Sequence, residues 1–224
     1  MSDPLIFEKN GHVVTLTINR PDSRNPLGEA EDADNFTNAA ARINEDMDVR
    51  CVILTGAGSA FSAGGNIKAM RAIGLGNDVA CMCDTRIASD KAKFGVTFLK
   101  IGLIPGDGGA WLLPKIIGMA RAAELFYTGD VIEPQKAKEW GLVSEVVPHD
   151  DLMAHANALA QKICQQSPNV LRMTKRLMRE GMMNSYDTVM EMSANMQALA
   201  HHTDDHMEAL DAFFEKRPPV YKGQ

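Results

Sequence analysis

The chain has 224 residues, 45% of them hydrophobic and 23% charged, enough for one large core or a core with a small appended domain. Its formal net charge of −6 argues against nucleic acid as the main partner. No window approaches the run of roughly 18 apolar residues that a membrane span needs, and the start MSDPLIFEKNGHV has no basic segment leading into an apolar one. A cytoplasmic protein away from membranes is expected, or a matrix protein if a transit peptide was already removed.

In chain order, Ile6–Glu8 and Val13–Ile18 read as two strands joined by a tight turn at Lys9-Asn10-Gly11, since Asn-Gly is a strong hairpin signal. Arg20-Pro21-Asp22-Ser23-Arg24-Asn25-Pro26 is a loop by its prolines and small polar residues. From about Glu29 to Asp46, Phe36, Ala39, Ala40 and Ile43 recur at helical spacing. Cys51–Thr55 is a short, continuously apolar strand of the kind buried on both faces of a sheet. Strand, helix, strand in that order implies a crossover.

Further on, Leu75–Cys83 begins a buried helix and Phe94-Gly95-Val96 is a short strand. A glycine-rich loop, Gly102 to Gly109, leads into helices from about Ala110 to Ile117 and Ala120 to Thr128. Pro134–Trp140 is another short helix and Val143–Val147 a strand. From Asp151 to about Glu215 the pattern is helical, broken near Ser167-Pro168 and at Gly181, and Pro218-Pro219 cannot continue it. The organisation is an α/β core over residues 1–148 and a helical part over 149–224.

Cys51, Cys81, Cys83 and Cys164 read as reduced thiols, three of them in or beside apolar runs; Cys81-x-Cys83 lacks the two-residue spacer of zinc and redox pairs. His202 and His206, four apart, would share a helix face, but Thr203 stands where a metalloprotease helix needs Glu, so no metal is expected. The fourteen methionines fall mostly in the C-terminal half and read as packing or interface residues.

Chemistry is suggested by two glycine-rich stretches. Ala63-Gly64-Gly65 follows a strand, and Gly74-Leu75-Gly76 precedes a helix. Backbone N–H groups at such places have no partner within the secondary structure. Two of them converging on one point would stabilise a developing oxyanion. Spacing alone leaves open whether these are only turns.

Residues 50–70 (RCVILTGAGSAFSAGGNIKAM), 72–90 (AIGLGNDVACMCDTRIASD) and 94–118 (FGVTFLKIGLIPGDGGAWLLPKIIG) resemble the crotonase superfamily, the enoyl-CoA hydratases and isomerases. Asn19-Arg20-Pro21 with Asn25, Gly129, AKEWGLV at 137–143 and the closing FFEKRPPVYKG are similar too. The resemblance implies a crotonase-like spiral of ββα units with a helical C-terminal trimerisation region, hence a homotrimer or dimer of trimers. It implies an acyl-CoA thioester as substrate, no cofactor beyond the coenzyme A carried by that substrate, and a role in fatty acid metabolism. By the same resemblance the thioester oxygen is held by the backbone N–H groups of Gly65 and Leu75, flanked by Ala63, Gly64 and Gly74. Asp22, Ser23 and Arg24 correspond to the segment that holds the CoA adenine, and Lys216 to a basic residue near the nucleotide.

Where hydratases of this family carry two glutamates, this chain has Asp78 and Phe98. Phenylalanine cannot transfer a proton, which shifts weight from hydration towards isomerisation or another enolate reaction. Asp107 lies one residue beyond a catalytic aspartate of some family isomerases and dehalogenases; it either shares the proton transfer or caps the helix that follows. Asn66 replaces the usual aspartate after Gly65. Between Met70 and Ala72 the family has several helical turns and a core strand that this sequence does not show. Of the two explanations, a deletion or an unlisted segment, the second is preferred, with a spatial break near Arg71. A non-catalytic scaffold, or a CoA- or RNA-binding member, is the alternative to an enzyme.

Overall fold

The computed structural model describes residues 3–64 and 76–224. The expected break near Arg71 lies outside these residues. Strands β1 (Leu5–Asn10), β2 (Val13–Ile18) and β3 (Cys51–Gly56) form one sheet in the order β1-β2-β3, with helix α1 (Ala30–Glu45) connecting the neighbours β2 and β3. The first turn sits at Gly11-His12 rather than at Lys9-Asn10-Gly11, and β1 continues through Asn10. In β2, Val13, Val14, Leu16 and Ile18 are buried. β3 departs from expectation: none of its residues is fully buried, and Val52 is exposed. Among the described residues its apolar run is an edge of the three-stranded sheet, with a strand partner on one side only.

The chain divides into two compact units. The first comprises residues 1–8, 15–42 and 53–158. Its core packs Leu113, Ile117, Ala122, Leu125, Phe126, Ala137, Trp140 and Leu142 with Val96, Phe98 and Ile132. The apolar residues come from helices α2 (Gly76–Met82), α3 (Gly109–Ile117), α4 (Met119–Thr128) and α5 (Pro134–Glu139), and from the short segments between them. Two small sheets hold those segments. β4 (Ile87–Ser89) pairs in parallel with β7 (Glu145–Val147), and β5 (Phe94–Gly95) pairs antiparallel with β6 (Val131–Ile132). β4 and β6 were not foreseen. Strands of two or three residues carry no periodicity; their partners define them.

The second unit comprises residues 9–14, 43–52 and 159–224. Helix α6 (Leu152–Cys164) enters it, followed by α7 (Pro168–Gly181), α8 (Tyr186–His201) and α9 (Asp204–Glu215). The breaks at Ser167-Pro168 and after Gly181 were expected; a third, at His202-Thr203, was not. There Thr203 caps α9, its hydroxyl accepting from the N–H of His206 at 3.2 Å. His202 and His206 therefore do not share a helix, and it is His201 Nδ1 that lies 3.2 Å from His206 Nε2. The tail is anchored by the buried Asp205, which accepts from Ser167 Oγ at 2.7 Å and from the N–H of Lys222 at 2.7 Å. Arg217 pairs with Glu208, and the N–H of Val220 donates to the same carboxylate at 2.7 Å.

Candidate active site

The site residues of the first unit are assembled from four stretches: the 20–27 loop, the turn at 57–64, the N-terminal turn of α2 and that of α3. Two of the candidates, Gly65 and Leu75, lie outside the described residues, as do Asn66 and Gly74.

The 57–64 turn is mounted on the 20–27 loop by main-chain bonds. Ala63 N–H donates to Arg24 O at 2.8 Å, and Leu27 N–H donates to Gly64 O at 3.0 Å. Gly64 has φ 91°, a left-handed value that favours glycine. Asn25 is fully buried and gives both amide hydrogens to the same turn, to Ala57 O at 2.8 Å and Ala60 O at 2.6 Å. Arg20 reaches from the other side, donating to Pro26 O at 3.0 Å and to the carboxylate of Asp32. Asp32 in turn accepts from the N–H groups of Gly28 and Glu29, which closes the start of α1. Asp22, Ser23 and Arg24 lie exposed on this scaffold, the first two in a single 3-10 turn and Arg24 with φ 62°.

The start of α2 meets the 57–64 turn. A side chain at Gly76, the first residue of α2, would lie 2.9 Å from Ser62 O and 3.0 Å from Ser62 Oγ. Only glycine lets α2 start against the 57–64 turn. One turn into the site, Asp78 is fully buried, with Oδ2 accepting from Gly109 N–H at 3.0 Å. Its Oδ1 has no hydrogen-bond partner among the described residues, and neither has the buried Oδ2 of Asp107. Loss of water around Asp78 raises its pKa above the usual carboxylate value; Gly109 N–H opposes this, and the nearby Asp107 charge adds to the rise. Asp107 is also raised, by burial. Both carboxyl groups thus hold a proton more tightly than an ordinary carboxylate, and each has one oxygen without a partner among the described residues.

The capping role given above as an alternative for Asp107 is taken by Asp78. Gly108 occupies the N-cap of α3 with no side-chain cap, and it is the Asp78 carboxylate, from another helix, that binds the N–H of Gly109. Phe98 lies in a 3-10 turn (Phe98–Ile101) and is buried in the apolar core. Lys216 ends α9 with φ 56° and is exposed; it belongs to the second unit. Among the described residues no group of three His, Cys, Asp or Glu side chains is arranged to hold a metal ion, and no helix is long and apolar enough to cross a membrane. The residue that sequence reasoning undervalued is Asn25, whose signal was its position after Arg20-Pro21 in a loop rich in turn formers.

The sequence profile described as enoyl-CoA hydratase/isomerase matches residues 8–72 and 71–224. The chain belongs to this enzyme family. A probable enoyl-CoA hydratase of Mycobacterium bovis is 32% identical over 252 aligned positions that cover 98% of each chain. A 1,2-epoxyphenylacetyl-CoA isomerase of Escherichia coli is 30% identical over 251 positions and 95% of each. The crystal structure of an enoyl-CoA hydratase from Bacillus anthracis superposes with a TM-score of 0.93 at 34% identity, covering 99% of this chain and 100% of that one. The crotonase-type α/β fold expected from the sequence is thereby established.

The family match also bears on the short inner segment. Its two pieces meet at residues 71–72. An alignment of 252 positions against 224 residues leaves at least 28 that face nothing here, the difference between the two lengths. The sequence runs unbroken through Met70-Arg71-Ala72. The shortening is a property of this chain, which corrects the preference for an unlisted segment.

Proposed function

We propose that this chain processes acyl-CoA thioesters by enolate chemistry of the hydratase/isomerase type, and that proton transfer between carbons is the reaction its carboxylates suit best. The thioester oxygen is received by the N–H groups of Gly65 and Leu75. The carboxylate pair Asp78 and Asp107 takes a proton from the carbon beside the carbonyl. The resulting negative charge spreads onto the thioester oxygen, where two amides stabilise it. In a 3-enoyl thioester the pair then returns a proton to the γ carbon and the double bond moves into conjugation. The CoA adenine lies along Asp22, Ser23 and Arg24, and Lys216 contributes to the nucleotide. No cofactor beyond the substrate's coenzyme A takes part.

The observation that carries this reading is the carboxyl pair of Asp78, fully buried, and Asp107, half-buried, near the contact of α2 with the 57–64 turn, each with one oxygen unpartnered among the described residues. Phe98 is core, so no second glutamate positions water there. The experiment is turnover of a 3-enoyl-CoA and of crotonyl-CoA by wild type, Asp78→Asn and Asp107→Asn. Isomerisation exceeding hydration in wild type and falling in both variants supports the reading; full activity in both variants removes the acid–base assignment.

A second reading, a non-catalytic family member that keeps the fold and CoA binding, is favoured by the shortened segment at 71–72. Calorimetry with acyl-CoA and a gel shift with RNA separate it from the first: binding of acyl-CoA without turnover selects it. A homotrimer or dimer of trimers goes with either reading. Phe213, Phe214 and Met207 of α9 are exposed in the single chain and offer apolar surface for it. Sedimentation equilibrium tests this.

A further inference from the structure

Met82 and Asp78 stand one turn apart on α2, at i and i+4, positions that share a helix face. Both reach the start of α3. The Asp78 carboxylate holds the N–H of Gly109. The Met82 methyl group, Cε, would lie 3.6 Å from a Cβ placed on Gly108, the residue between Asp107 and Gly109, and Leu112 Cδ1 would lie 4.0 Å from the same point. The thioether therefore stands beside the carboxyl pair, at the same junction of α2 with α3. Its surroundings differ from those of Asp78. Asp78 is fully buried, whereas Met82 is 47% exposed. A methionine that only filled a gap between two helices would bury its end; this one leaves half-open apolar surface next to two carboxyl groups. Leu103 and Ile104, in the loop that leads to Asp107, are exposed as well, and so is Trp111 on α3. Apolar surface thus lies on both sequence flanks of Asp107.

We propose that Met82 is a specificity-determining residue: it lines the path of the acyl chain beyond the reacting carbons and suits the site to apolar, unbranched acyl groups longer than four carbons. The inference rests on the acyl-CoA reading and deepens it by naming the substrate class. The carboxyl pair exchanges protons with the α and γ carbons, so those carbons stand at Asp78 and Asp107. Cβ atoms at i and i+4 of a helix lie about 5–6 Å apart. A chain that continues past the γ carbon therefore comes alongside the thioether within a few methylenes. A four-carbon acyl group ends at the γ carbon and does not reach it. The methionine side chain is unbranched and polarisable, and it adapts to a flexible chain. The acyl tail in turn takes the exposed part of Met82 out of water, which favours binding in proportion to the apolar area covered.

The test uses the full-length protein with 3-butenoyl-CoA and 3-octenoyl-CoA, and compares wild type with Met82→Gln and Met82→Leu. Glutamine keeps the length of the side chain and makes its end polar; leucine keeps it apolar at similar volume. The readout is the ratio of kcat/KM for the eight-carbon over the four-carbon substrate. A general loss of activity lowers both values and leaves the ratio unchanged. Thermal melting confirms folding. If the thioesters bind without turnover, the same ratio is read from their dissociation constants. A buried methylene is worth about fourfold, so the expected wild-type ratio is about 10 or more, falling at least about fivefold in Met82→Gln and staying within about twofold in Met82→Leu. A wild-type ratio near unity would overturn the inference. So would a wild-type ratio kept in Met82→Gln, which would mean that a second copy of the chain or another wall covers this residue. Equal loss in Met82→Leu would overturn it too, since that marks dependence on shape and not on apolar contact. A wild-type protein that neither binds nor turns over either thioester overturns the acyl-CoA reading and the inference with it.

Discussion

Gly109 donates its N–H to Asp78 Oδ2 at 3.0 Å, and a Cβ on Gly109 would lie 2.6 Å from that carboxylate's Cγ. The same residue that holds the carboxylate thus has no room to be anything but glycine. Gly109→Ala should push Asp78 out of position. Overpacking of this kind costs about 1–3 kcal/mol of stability, and misplacement of the carboxylate should lower turnover about 100-fold. Thermal melting and steady-state kinetics measure the two effects. Turnover equal to wild type would show that the contact is slack.

Burying Asp78 has a pH signature. Its pKa is raised in the folded protein, chiefly by loss of water around the carboxyl group. The folded state then binds the proton more tightly than the unfolded chain. Its favourable contribution is complete below the ordinary value of 3.8 and is lost as pH rises through the raised value. At neutral pH the ionised carboxylate is a net cost to folding. Asp78→Asn should therefore melt higher than wild type at pH 7, with the advantage shrinking in acid, while activity falls by about 100-fold or more. A lower melting temperature at pH 7 would contradict this account.

The opposite sign operates in the tail. Hydrogen bonds from Arg217, and after them from the Val220 N–H, hold the Glu208 carboxyl at about 2 instead of the ordinary 4.5. A depressed carboxylate stabilises the fold above its unfolded value and loses that contribution as pH falls through its folded one. Hydrogen exchange at Val220 should be protected at neutral pH and lose protection progressively between about 4.5 and about 2. Glu208→Gln should remove the pH dependence of that protection.

Phe98 supplies a test of why this chain lacks a second glutamate. Its ring is part of the packed core of the first unit. Phe98→Glu should cost several kcal/mol, since an unpaired buried carboxylate is expensive, and should not create hydratase activity. Phe98→Ala should cost about 3–5 kcal/mol through the cavity it leaves. Denaturant titration gives both values. A gain of crotonyl-CoA hydration in the glutamate variant would place Phe98 in the site after all.

The amino-acid sequence by itself determined most of the long elements and the family. Period-3.6 patterns located α1, α3, α4 and the C-terminal helices, and ordered motifs identified the fold, because helical spacing and glycine-rich turns are local properties of the chain. β4 and β6 were decided only by tertiary pairing, since two or three residues acquire strand geometry from the partner they bind. The break at His202-Thr203 was missed because a threonine hydroxyl caps only where the chain turns. The site divides in the same way. The candidacy of Asp78 and Asp107 was legible as residue type and position. That Asp78 caps α3 in place of Asp107, and that Asn25 clamps the 57–64 turn, was not, because the partners lie 31 and up to 35 residues away along the chain. Hydrogen-bond geometry over such separations exists only once folding has brought the two stretches together.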